Sequence, residues 1–159
     1  MQNEKYIAIR EFSDSYAGSD FLQDISLILS ETLGVSYVLI GRLIPPDSIC
    51  TLTLLAHGSI VPNMEYKLSG TPCDNVVGRS LCYYPCNIQA LFPDDKELQE
   101  LGIESYIGTP LFDENNRPIG LIVLMHTETI EEPELVESIL QYITPRVQKE
   151  LQGQTEIAV

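Results

Sequence analysis

Three cysteines fall close together in the stretch GTPCDNVVGRSLCYYPC at 70–86: Cys73, Cys82 and Cys86. Thiols at such spacing could hold a metal ion, close a disulfide, act as nucleophiles, or wall an apolar pocket. Zinc fits poorly, because structural sites use paired ligands at short spacing and no Cys-x-x-Cys occurs; a fourth ligand would have to be Cys50, His57 or His126. Thr71-Pro72-Cys73-Asp74 predicts a helix start, with Thr71 capping and Pro72 in the first helical position. A first-turn Cys73 would feel the helix dipole, which lowers a thiol pKa, while Asp74 pulls the other way. Free cysteine otherwise packs as a small apolar residue, and that is the reading adopted here. No catalytic residue and no metal ligand is assigned. Cys82 and Cys86 are expected to be buried, so that serine at either position costs about 1–3 kcal/mol.

The chain as a whole sets limits on this chemistry. Its 159 residues suit one domain with one substantial core. Nine Lys and Arg against 23 Asp and Glu give a net charge of −14, with the basic residues scattered, which opposes a nucleic-acid backbone as principal partner. Apolar runs are too short to span a bilayer, so no membrane contact is expected. The N-terminal MQNEKYIAIREF has no apolar core of a secretion signal. The expectation is a cytoplasmic protein whose thiols stay reduced.

The elements that must position the thiols are legible in order. Residues 1–18 carry little periodicity and read as a lead-in, a partly helical connector. Asp20 followed by Gln23 is a capping-box pattern, Phe21, Leu22, Ile25, Leu29 and Leu33 mark one helical face, and Gly34 ends the helix. VSYVLIGRLI (35–44) and CTLTLLAH (50–57) read as strands across a proline loop, with a short strand near 65–68. Helices are predicted at 85–92 and, with Asp94 and Glu97 as a capping box, from Asp94 to Gly102. SYIGTPLFD (105–113) and RPIGLIVLMHT (117–127) form a pair, the second apolar at consecutive positions and therefore covered on both sides. A final helix starts near Pro133, and Pro145 inside its apolar stripe predicts a kink or break.

YKLSGTPCDNVV (66–77), CYYPCNIQALFPDD (82–95) and GIESYIGTPLFDENNRPIGLIVLMH (102–126), with the final helix, resemble the GAF domains of bacterial signalling proteins. GTPC and ALFPDD are similar to the subtype found with sensor kinases, diguanylate cyclases and phosphodiesterases. The likeness covers about 19–151, leaving 152–159 as a tail. It implies an α+β, GAF-like and PAS-related fold. A central antiparallel sheet of five or six strands would carry terminal helices on one face and short helices and loops over a pocket on the other. It also implies a non-catalytic sensory or regulatory role, with signals leaving through terminal helices to an output domain. It names no cofactor: GAF domains bind cyclic nucleotides, haem, bilins or other small molecules, and some bind none. The bilin subfamily carries a Cys-His pair, whereas here Tyr83 follows Cys82. Free methionine-(R)-sulfoxide reductase, a thiol enzyme on this fold, has Gly-Val-Cys-Gly where this chain has Thr-Pro-Cys-Asp. A ligand-free dimerisation scaffold is the alternative reading.

The resemblance and the residues together predict a pocket walled by Tyr66, Leu68, Thr71, Cys73, Val76, Cys82, Tyr83, Ile88, Phe92 and Tyr106. Its ligand is expected to be neutral or weakly polar, taking a hydrogen bond from Tyr66 or Tyr83, and Val76→Trp is expected to plug it. The stripe Val136, Ile139 or Leu140, Ile143 and Val147 predicts a homodimer through the terminal helices.

Overall fold

The computed structural model describes residues 3–157. Strands β1 (Tyr37–Ile44), β2 (Ser48–Ala56), β3 (Ser59–Ile60), β4 (Glu65–Lys67), β5 (Cys82–Tyr84), β6 (Ser105–Phe112) and β7 (Pro118–His126) form one sheet in the order β3-β2-β1-β7-β6-β5. β4 also pairs with β2, and every pairing is antiparallel. The seventh strand exceeds the expected five or six because two very short segments, β3 and β5, extend the edges. CYY at 82–84 lacks the length and turn signals by which a strand is recognised in sequence.

β1 and β7 lie at the centre and bury both faces, as consecutive apolar residues require. Val38, Ile40, Ile122 and Leu124 face one core, while Tyr37, Leu39, Leu121 and Val123 face another. The two strands come so close that a Cβ on Gly120 would run into the carbonyl of Gly41, beside the bulge between Ile40 and Gly41. Only glycine permits that approach.

The first core is closed by three helices: α1 (Glu4–Asp14), α2 (Phe21–Leu33) and, at the C-terminal end, α5 (Pro133–Ile157). α2 begins and ends where its sequence predicts. The Asp20 carboxylate accepts from the Gln23 N–H at 3.2 Å, and Gly34 takes φ 69° and donates to the Ser30 carbonyl. The lead-in segment, read as a partly helical connector, holds α1 and packs it on the first core. Asn3 caps α1 through the Lys5 N–H, Ile9 is buried, and Tyr142 donates to Asp14, which ties α1 to α5. Tyr6, Phe12 and Tyr16 pack beside Ile9 against the same core. Residues 1 and 2 lie outside the described ones. The tail is helical through Ile157, and 158–159 are likewise outside.

α5 runs through Pro145 without a break, which removes one of the two outcomes expected there. Proline removes the donor to the Gln141 carbonyl, but both residues are exposed and water can take that acceptor. Val136, Ile139, Leu140, Ile143, Val147 and Leu151 are all buried against the chain's own sheet. The stripe that suggested a homodimer is therefore consumed in the core, and any self-association of these helices must use their outer faces.

The other face carries the segment between β4 and β6. It holds a 3-10 turn at Pro72–Asn75, α3 (Ile88–Leu91) and α4 (Lys96–Glu100). α3 is shorter than the 85–92 helix expected, because Asn87 takes a left-handed conformation and the helix begins only after it. α4 takes Asp95, one residue beyond Asp94, as its N-cap.

Candidate functional site

Between the sheet and this second layer lies a cavity of about 680 Å³. Leu39, Leu54, Ala56 and Val123 give it an apolar floor from β1, β2 and β7. Cys73, Leu98 and Leu101 close it from the layer, and Tyr66 and Tyr106 contribute from β4 and β6. The volume is that of an ordinary small-molecule site, and its mixture of apolar wall and few polar groups is typical of one.

The polar centre of the cavity is a thiol held by two phenols. Tyr106 Oη donates to Cys73 Sγ at 3.1 Å, and Tyr66 Oη donates to the same sulfur at 3.3 Å. Tyr106 is fully buried and lies along the sheet, where a Cβ at position 108 would stand 2.8 Å from its hydroxyl; Gly108 leaves the space open. Tyr84 packs edge-on against Tyr106 at 5.9 Å, and Phe92 against Tyr84 at 5.4 Å, so an aromatic chain braces the ring. Burial first, then the adjacent Cys73, holds both Tyr66 and Tyr106 well above the usual phenol range, and both are protonated at neutral pH. Burial pushes the Cys73 thiol up, against the opposing effect of the two hydroxyl donors. A thiolate nucleophile is disfavoured in such a place.

The turn carrying Cys73 is a single 3-10 turn rather than a capped α-helix. The Thr71 hydroxyl donates back to the Leu68 carbonyl at 2.7 Å and caps nothing, so the first-turn dipole argument for Cys73 falls away.

Tyr66, Thr71, Cys73 and Tyr106 line the cavity as their sequence positions suggested. Leu68, Val76 and Ile88 are buried in the same core but do not line it. Val76→Trp would therefore overpack the core and not plug the space. Tyr83 belongs to the opposite face, where its hydroxyl donates to the Ile130 carbonyl at 2.9 Å, because alternate residues of β5 point to opposite sides. Cys82 turns aside to the Asn75 carbonyl, and Phe92 acts one ring removed through Tyr84. Tyr37, Leu54, Ala56 and the carboxylates of α4 were missed. The alternation of β2, with Leu54 and Ala56 on one face, was a signal for two of them.

The cysteines separate by exposure: Cys73 is buried, Cys50 and Cys82 are intermediate, and Cys86 is exposed. The expectation of a buried Cys86 is corrected, since it sits in the open turn before α3. Cys86→Ser should change stability by less than about 0.5 kcal/mol. Brief iodoacetamide treatment followed by peptide mapping should modify Cys86 first and Cys73 only on unfolding. Early modification of Cys73 would contradict the packing described. Among the described residues, no group of three His, Cys, Asp or Glu side chains is placed to hold a metal ion.

Residues 18–144 match the sequence profile described as GAF domain. The chain belongs to the GAF domain family. Solved structures share this GAF fold. The GAF domain from Acinetobacter phosphoenolpyruvate-protein phosphotransferase superposes with a TM-score of 0.74 at 15% identity, covering 99% of each chain. The phycocyanobilin-bound GAF domain from a cyanobacterial phytochrome gives 0.65 at 18% identity and 98% of each chain. The GAF domain of A. aeolicus nlh2 in an inactive state gives 0.64 at 15% identity and 94% of each chain. No curated protein matches the chain by sequence. Among the described residues of this GAF domain, no helix is long and apolar enough to cross a membrane.

Proposed function

We propose that this GAF domain is a non-catalytic sensory module of a bacterial signal-transduction protein, and that it binds a small molecule in the cavity under α4. The observation that carries the reading is the cavity itself: a volume of about 680 Å³ between two otherwise well-packed layers, with apolar walls and a tyrosine-thiol cluster. Structural relatives support it, since they include a phycocyanobilin-bound domain and one described in an inactive state. A route for the signal lies in the central strands. Tyr37 and Leu39 of β1 face the cavity side, while Val38 and Ile40 of the same strand press on the α2 and α5 core. A ligand that shifts β1 shifts the helices behind it.

The thiol-enzyme reading finds no support in the state of Cys73, whose thiol is buried and raised in pKa. The scaffold reading loses its main argument with the burial of the α5 stripe.

Ala56→Trp is the matched test, because Ala56 lines the cavity from β2 and an indole there enters open space. A thermal-shift screen of metabolites should find a ligand that stabilises the wild type. At a hundredfold excess over Kd the stabilisation is about 2.7 kcal/mol, or several degrees. The variant should keep its far-UV circular dichroism and lose the shift. A ligand that stabilises both equally would place binding elsewhere.

A further inference from the structure

The direction of the hydrogen bonds inside the cavity restricts what it can hold. All three cavity tyrosines have committed their hydroxyl protons. Those of Tyr66 and Tyr106 go to Cys73 Sγ. Tyr37 Oη donates to the Leu101 carbonyl at 3.4 Å and meets His57 Nε2 at 3.2 Å. What these oxygens still offer a guest is lone pairs. The expected donation from Tyr66 to a ligand is thus reversed, and the guest must supply the donor.

Charge at the mouth has the same sense. Asp94, Asp95, Glu97 and Glu100 line the side formed by α4 and the turn before it. Of the two lysines there, Lys67 is engaged by Asp47 at 3.3 Å, which leaves Lys96 set against four carboxylates. Burial raises the Asp95 and Glu97 carboxyls, and Asp95 and Glu100 push Glu97 further, so a cation beside them relieves an existing repulsion. An anionic group meets no uncommitted tyrosine hydroxyl, and one lysine, Lys96, against four carboxylates.

Resting on the ligand-binding reading above, we infer that the cavity takes a protonated amine carried on an apolar or aromatic body, its ring between β1, β2 and β7 and its ammonium toward Tyr66 and the α4 carboxylates. The neutral guest anticipated from sequence becomes the weaker binder.

Three indoles of one shape separate the possibilities: tryptamine as cation, tryptophol as neutral alcohol and indole-3-acetate as anion. Calorimetric titration of the full chain at pH 7 should rank tryptamine first, about tenfold or more tighter than tryptophol. Glu97→Gln with Glu100→Gln should remove most of that advantage by weakening tryptamine far more than tryptophol. Tyr66→Phe, which keeps the ring, should weaken tryptamine selectively. Equal binding of tryptophol, or tighter binding of indole-3-acetate, overturns the amine assignment while leaving the cavity as a site. Binding by none of the three also overturns it, and the cavity reading is then judged separately through Ala56→Trp.

Discussion

Gly120→Val should destabilise the domain by about 4 kcal/mol or more, the top of the range for a single substitution. The position has no side chain to lose. The loss comes from the Gly41 carbonyl, which stands where the new Cβ must go. Gly120 lies opposite Arg42 in the β1–β7 ladder, so the two central strands would have to part or slip. A one-residue slip of β7 against β1 would carry Ile122 and Leu124 to the wrong face. Urea denaturation followed by circular dichroism measures the effect directly. A loss below about 1 kcal/mol would show that the strands separate more easily than their register implies.

Ile143→Asp is expected to be comparably severe and decides a different question. Ile143 is fully buried in the core shared by α2, α5 and the sheet. Removing its aliphatic atoms costs about 2–5 kcal/mol, and an unpaired carboxylate in that place adds several more. The variant should be unfolded or insoluble. Were the α5 stripe an interface between two copies, the same change would instead give a folded monomer. Circular dichroism with sedimentation velocity distinguishes the outcomes.

Much of this fold was written in local patterns. The Asp20 and Gly34 signals bracket α2, and the consecutive apolar residues of β7 announced a strand covered on both faces. The site was less legible, for identifiable reasons. Tyr66 lies close to Cys73 in sequence, but Tyr106 is a strand away and reaches the same sulfur where Gly108 leaves room for its ring. β5 has three residues, so its alternation, which sends Tyr83 to the helical side and Tyr84 to the other, could not be read as a period. Glu97 was read only as the capping-box partner of Asp94, and the third dimension puts it, with Asp95 and Glu100, beside an apolar cavity. Pro145 misled in the opposite way. Its local rule is sound, but an exposed position lets water take the carbonyl it leaves unpaired.

The central claim is that the space between the sheet and α4 is a ligand site. Equilibrium dialysis of the wild type and Ala56→Trp, side by side against a bacterial metabolite extract, tests it with untargeted mass spectrometry of what each retains. The account predicts at least one small molecule held by the wild type in near-stoichiometric amount and absent from the variant. Identical retained profiles, with both proteins folded, would contradict it.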